Sequence, residues 1–572
     1  MKDLLMDIRG GKRFVIKQKQ ESEEGIKTGI IEKQTFVPQY MPQQFVPQYM
    51  PQQQPAQFSG IALPPIKMEK YTAQESEDIT RIDMKYPLIP SKPAQGEKIM
   101  AYAHIFFDKK SGEIVYKIVE PALTNQMALD EIKEYVQEKL DVNFSQIRKS
   151  DAIGYLNTAF ERALAYLKVK LDKNATDVLR YYVIRDFIGV EKIEPLINDK
   201  NIEDISCDGV NIPIYVYHKY PQLGSLRTNI SFSNMDELDT FVNKLAERSG
   251  KTISVSHPLL DGTLPDGSRL QATLGSDIAR HGSNFTIRMF SEKPLTPTDI
   301  IKYNTCDVRM MAYCWFLVEH GCSVLVSGGT ASGKTSMLNV LSLFIKPQMK
   351  IISIEDTSEL RLPHAHWVPE VARTPISEEG KVDMFELLRE SLRQRPDYII
   401  VGEVRGREAY VLFQQMAVGH PGLSTIHAEN FPKLVDRMTS PPISLPPNLM
   451  QNLDLILFVK RVKQGRKYSR RVFSAIEVVG YNQETSTPIT NEVFSWDSRE
   501  DVFKNPSKSY LLKKICDNQG LNEKDVKKEI ENRAKVLKWM VEKNITDYRQ
   551  VSSIISTYYL SPEFLMQRIE SS

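Results

Sequence analysis

The chain has few cysteines, and none are spaced to share a metal. Its five, Cys207, Cys306, Cys314, Cys322 and Cys516, are odd in number, contain no C-x-x-C and sit mostly in apolar runs. That argues against a disulfide framework and a cysteine-bound zinc, and fits free thiols in a reducing compartment. Charge of one sign is missing too. The 74 basic and 72 acidic residues leave a net charge of +2, too little for nucleic acid as a bulk partner. No apolar run reaches the length of a membrane-spanning helix. The first residues, MKDLLMDIRGGKRF, carry no apolar core for a signal peptide. Any membrane role is therefore expected to run through a partner.

With 572 residues, 41% of them hydrophobic and 26% charged, the chain is expected to form two to four ordinary globular domains. One stretch organises it. Gly328, Gly329, Thr330, Ala331, Ser332, Gly333, Lys334, Thr335 and Ser336 fit G-x-x-x-x-G-K-[ST]. An apolar run ending at Val326 reads as a buried strand before it, and the run from Met337 reads as a helix after it. In that setting glycines let backbone N–H groups turn around a phosphate at the helix N-terminus. Lys334 would reach the β- and γ-phosphates, and the Thr335 hydroxyl would hold Mg²⁺.

Residues 1–95 read as a disordered Pro/Gln-rich tail. The nonapeptide FVPQYMPQQ occurs twice, from Phe36 and from Phe45, and its prolines forbid a helix. A tether with Phe and Tyr anchors for a partner and an unselected low-complexity extension both remain open. Deleting these residues is expected to leave the activity of the rest within about twofold. A small α+β module (96–190) follows, with strands at 102–107 and 114–119 and then helices. The next α+β module (191–293) has strands near Ile205, Ile214 and Phe285, a helix from Leu238 to Arg248, and a turn-rich loop over 260–269. Arg269 and Arg288 lie beside its loops. A Pro-rich linker (294–298) leads to the nucleotide domain (299–504), and 505–572 reads as helical.

In the nucleotide domain, Glu355 and Asp356 end one apolar strand and Glu403 ends another. Parallel sheets place ligands beyond such ends, where an acid can activate water or hold Mg²⁺. Thr335, Glu403 and Asp356 are the candidate metal residues. His427 closes a short extended run and is positioned to contact a γ-phosphate. His364 and His366 form a lone H-x-H, read as structural. The stretch 460–471 holds seven basic residues. It reads either as a solvated hairpin tip or as a dock for anionic lipid or an acidic partner.

Four motifs occur in one order: GGTASGKTS, ISIEDTSEL, LLRESLRQRPDYIIVGEVRG and GLSTIHAEN. They resemble the Walker A, Asp box, Walker B and His box of the secretion ATPase superfamily of type II secretion, type IV pilus and archaellum machines. LINDKNIEDISCDG and LDGTLPDGSRLQATLG resemble its N-terminal domain. The likeness, strongest to archaeal members, spans roughly 100–572. The tetracysteine module of many bacterial type II members is missing. The resemblance implies an α/β fold: a RecA-like P-loop NTPase domain with a mobile α+β N-terminal domain and a helical C-terminal segment. It implies an ATP- and Mg²⁺-dependent homohexameric ATPase at the cytoplasmic face of the membrane. The motor would act on a polytopic inner-membrane platform protein and, through it, on pilin-like subunits, with no nucleic acid expected. It assigns Glu403 as the catalytic base, Glu355 and His427 to their boxes, and Arg269, Arg288, Arg389, Arg393 and Arg405 to the γ-phosphate. A nucleic-acid-translocating RecA-like motor is the alternative.

Overall fold

The computed structural model describes residues 60–64, 79–139, 149–169, 171–220, 223–290, 293–373, 380–464 and 467–571. The nonapeptide repeats lie outside the described residues.

Nine strands form the first sheet: β1 (Asp83–Ile89), β2 (Ala101–Asp108), β3 (Glu113–Val119), β4 (Ile202–Cys207), β5 (Tyr215–His218), β6 (Ser225–Thr228), β7 (Leu259–Thr263), β8 (Arg269–Thr273) and β9 (Asn284–Arg288). Their order is β1-β2-β3-β6-β5-β4-β9-β8-β7. Three findings here depart from the sequence reading. First, β1 falls inside the stretch read as tail. Its Met84, Tyr86 and Leu88 alternate inward, and Pro87 is tolerated because β1 is an edge strand. Second, the stretch read as loop is the hairpin β7–β8. Leu260, Leu270 and Ala272 are buried on its inner face, and Gly267, at φ +89°, makes the turn. Third, the segments read as separate modules share this sheet, because β3 pairs in parallel with β6. The helices Gln126–Lys139, Lys149–Leu167 and Lys173–Phe187 keep a small core of their own.

A second sheet holds β10 (Val324–Gly328), β11 (Ile351–Glu355), β12 (Trp367–Val371), β13 (Tyr398–Val404), β14 (Gly422–Ile426), β15 (Leu455–Gln464), β16 (Lys467–Asn482), β17 (Thr487–Asp497) and β18 (Val502–Lys504). Its order is β12-β11-β13-β14-β10-β15-β16-β17-β18. The first six strands in that order are parallel, and the rest extend the sheet antiparallel. Strands β10, β11 and β14 are buried throughout, as expected when helices cover both faces. Val324 and Val326 pack against the helices Val308–Glu319 and Lys334–Ser342. Leu325 packs on the other face with the helices Met384–Ser391 and Glu408–Ala417. This is the α/β arrangement of a RecA-like P-loop domain.

The C-terminal segment is helical, as expected, with helices Tyr510–Gln519, Glu523–Glu542, Tyr548–Leu560 and Pro562–Glu570 packed into the same core as Val308–Glu319. Two buried charges lock it there. Arg533 pairs with Glu319 and Glu529 while lying against Trp315, Phe316 and Tyr558. Glu477 accepts from the Tyr313 hydroxyl at 2.5 Å and from the Tyr510 N–H at 2.8 Å. Removing one partner of such a group leaves the other buried without compensation. Ile61 adds a strap: its N–H and C=O both bond Ser509, each at 2.9 Å, and its side chain is buried in that core.

The basic stretch 460–471 is not a free tip. It forms paired arms of β15 and β16, with Lys460 opposite Arg471 and Arg461 opposite Arg470. Arg471 is buried on Asp501, with contacts of 2.8 and 2.9 Å. Lys460 lies over the rings of Phe473 and Trp496. Arg471 is thus neutralised within the fold, whereas Arg461, Lys463 and Arg470 are exposed.

Candidate active site

The phosphate loop is shaped by close approach and by backbone conformation. A Cβ on Gly328 would lie 2.2 Å from the Val459 carbonyl of β15, so only glycine fits there. Ala331 (φ +57°) and Gly333 (φ +94°) are left-handed and turn the peptide units of the loop. Gly333 caps the helix Lys334–Ser342 without a side-chain hydrogen bond. The first N–H groups of that helix are thus left for an anion. Ser332 Oγ and Lys334 Nζ both donate to the Gly329 carbonyl, at 2.8 and 3.1 Å. Burial pulls the Lys334 ammonium below its ordinary pKa, and Glu403 opposes that pull. Thr335 and Ser336 are half-buried at the start of the helix, and Thr330 is exposed at the loop tip.

Strands β11 and β13 are parallel neighbours, so their terminal carboxylates meet at one edge. They do different things there. Glu355 is 2% exposed and accepts from the N–H groups of Glu359 and Leu360 at 3.0 and 3.1 Å. Burial pushes its carboxyl up to about 7. Glu355 therefore braces the turn that follows it. Asp356 and Glu403 share Arg405, which donates to Asp356 at 3.2 Å and to Glu403 at 2.7 Å. Burial raises the Asp356 pKa, while Arg405 and Arg269 pull it down.

Arg269 bonds Asp261 at 2.8 Å, which raises its pKa, and the Glu359 and Asp356 carboxylates add smaller contributions in the same direction. An arginine of the first sheet thus stands within electrostatic reach of the second sheet's acids. Arg288 sits opposite Arg269 on the neighbouring strand, but its Nε bonds Asp204 at 3.2 Å and the side chain is 61% exposed. Arg389 and Arg393 are exposed and pair with Glu390 at 3.7 and 3.5 Å. Among the described contacts none joins Arg288, Arg389 or Arg393 to the phosphate loop. His427 is exposed just beyond β14. The end of β14 is tied to its neighbours by Ser327 Oγ donating to the Ala428 carbonyl at 2.6 Å and Thr425 Oγ1 donating to the Gly402 carbonyl at 2.8 Å.

Two residues of the site escaped the sequence reading. Glu408 accepts the N–H groups of Arg405 and Gly406, at 2.5 and 2.6 Å, and so sets the loop that carries Arg405. An acid three residues beyond Arg405, opening a helix, was the available signal. Glu429 lies next to Gly329 and pairs with Lys433 at 2.5 Å. The hydroxyl of Thr335 and the carboxylates of Asp356 and Glu403 are hard oxygen donors of the kind Mg²⁺ takes. Among the described residues no three His, Cys, Asp or Glu converge as a metal cage.

A family model described as type II/IV secretion system protein matches residues 191–493, and one described as PilB3-like, C-terminal, matches 499–572. An uncharacterized protein of Methanocaldococcus jannaschii is 38% identical over 503 residues, covering 83% of this chain and 90% of that protein. The type IV secretion system protein PtlH of Bordetella pertussis is 31% identical over 276 residues, 44% of this chain and 79% of that one. The solved ATPase DotB of Yersinia pseudotuberculosis is 14% identical and covers 66% of this chain and 93% of its own, with a TM-score of 0.38.

Proposed function

Since the chain belongs to the type II/IV secretion system protein family, we propose that it is a hexameric ATP-hydrolysing motor driving assembly or secretion of type IV pilin-like filaments through a membrane platform protein. The observation that carries the enzymatic part is the convergence of Lys334, Glu403, Asp356 and Arg405 at the carboxyl ends of β10, β11 and β13. Among the described residues no helix is long and apolar enough to cross a membrane, so attachment through a partner is part of the proposal.

In this reading the loop 328–336 binds the phosphates through its N–H groups. Lys334 leaves the Gly329 carbonyl and stabilises charge developing on the transferring phosphoryl. Glu403, held in orientation by Arg405, takes the proton of the attacking water. Thr335, with Asp356 and Glu403, would hold Mg²⁺, which would supply neutralisation of the phosphate charge when bound. Arg269 approaches from the first sheet, which makes turnover depend on the position of that body relative to the loop.

The test is phosphate release from ATP by the purified full chain. Wild type should hydrolyse ATP and Lys334→Ala should fall to background while keeping its melting temperature. Turnover by Lys334→Ala near the wild-type rate would remove the assignment.

A further inference from the structure

We propose that Arg470 is a positioning residue of the phosphate loop, fixing the peptide between Ala331 and Ser332. The inference rests on the reading of 328–336 as the ATP-phosphate loop. Arg470 comes from β16, far along the chain from the loop. Its Nε donates to the Ala331 carbonyl at 3.3 Å. Its Cδ lies only 2.9 Å from where a Cβ on Gly333 would stand, so the stem is pressed against the loop's second glycine.

A planar trans peptide points its C=O and N–H in opposite directions. A donor that holds the Ala331 carbonyl therefore also fixes the direction of the Ser332 N–H, one of the groups the loop would offer to a phosphate. Ala331 is left-handed, at φ +57°, a conformation that a residue with a Cβ keeps only when its surroundings fix it. Arg470 is such a surrounding, and its charge adds a favourable field for an anion.

The cross-strand partner supports the assignment. Arg461 lies directly opposite Arg470, and like charges in that position repel. Among the described ion pairs neither arginine has a carboxylate. Arg461 turns away to the Tyr217 hydroxyl of β5, at 2.7 Å, with its guanidinium over the Tyr468 ring. Arg470 is left on the loop, its charge unneutralised beside the anion site. The same pair of strands thus touches the first sheet through Arg461 and the phosphate loop through Arg470.

The experiment measures binding of a fluorescent ADP analogue and the nucleotide-free melting temperature in the full chain. Arg470→Ala should weaken binding about tenfold, a size typical of one lost charge-assisted contact. Arg470→Lys, which keeps a charged donor, should recover most of the affinity, and all three proteins should melt together without nucleotide. Unchanged affinity in Arg470→Ala overturns the proposal. So does a Lys variant as weak as Ala with a lowered nucleotide-free melting temperature, which would make the residue purely structural. A wild-type protein that binds no nucleotide would instead overturn the reading of the loop itself, and this proposal with it.

Discussion

Arg405 donates to the Glu403 carboxylate at 2.7 Å, with one residue between them, and reaches Asp356 on the neighbouring strand at 3.2 Å. One guanidinium thus holds both strand-end acids. Glu403 is the better placed to act on water, because Lys334 lies within its electrostatic reach. Glu403→Gln keeps the size and the contact to Arg405 but cannot accept the proton. Turnover should fall about 10²–10⁴-fold, the usual worth of a general base, with nucleotide binding retained. A variant that lost binding of a fluorescent ATP analogue would show that Glu403 shapes the site instead.

Arg269 and Arg288 were each expected to serve the γ-phosphate; they are cross-strand neighbours that hold different partners. Arg269, bonded to Asp261, also stands within electrostatic reach of Glu359 and Asp356. Arg288 is 61% exposed on Asp204. Arg269→Ala should therefore cut turnover at least about tenfold with a smaller change in ATP affinity, as for a charge that acts mainly on the transition state. Arg288→Ala should do the same only if a neighbouring subunit delivers it. Rates of the two variants measured at several protein concentrations would separate these cases. Equal, concentration-independent losses would contradict the distinction drawn from the geometry.

The buried Glu355 carboxyl makes stability depend on pH. Burial raises it from 4.5 to about 7. Between those values the folded protein holds a proton that the unfolded chain has lost. Stability attributable to this group is thus full below about 4.5, falls as pH rises, and is lost above about 7. Glu355→Gln keeps an acceptor for the Glu359 and Leu360 N–H groups but does not titrate. Its melting temperature should decline less than that of wild type between about pH 5 and about pH 8. Parallel curves for the two proteins would show that Glu355 carries no such penalty.

The phosphate loop and the strand-end acids were legible because their signals are local: a spaced motif, an apolar run, then an acid. The turn at Gly267 was read as loop because its hairpin strands are only five residues each, too short to show alternation against Asp261, Gly262 and Thr263. The edge strand β1 was hidden by Pro87, which argues against a strand unless the strand is known to lie at an edge. Glu408 and Arg470 act on backbone groups brought near by folding, and no periodicity in the chain announces such contacts. How far the strands run into the basic stretch was hidden for the same reason: Asp501, which neutralises Arg471, is thirty residues away.

The boundary of the dispensable tail is the sharpest revision. The sequence alone suggested that residues 1–95 contribute no core. Yet Ile61, 1% exposed, packs into the main core and bonds Ser509 at the entry to the C-terminal helices. Tyr86 of β1 donates to the buried Asp199 at 2.6 Å, beside Tyr116, which makes the same contact. Removing β1 and Ile61 exposes the neighbouring strand β2 and leaves a hole in an apolar core, each worth about 1.5–3 kcal/mol for a single large side chain. Deleting residues 1–95 should therefore lower the melting temperature, on the order of 5–10 °C for losses of this size. Deleting only residues 1–56, which fall outside the unit Gln57–Ser572, should leave it within about 2 °C and the ATPase rate within about twofold, because the composition of that stretch supplies no core. Thermal melts of the two truncations beside wild type decide the matter. If both melted with wild type, neither Ile61 nor β1 would hold the fold, and the tail would extend to residue 95 after all.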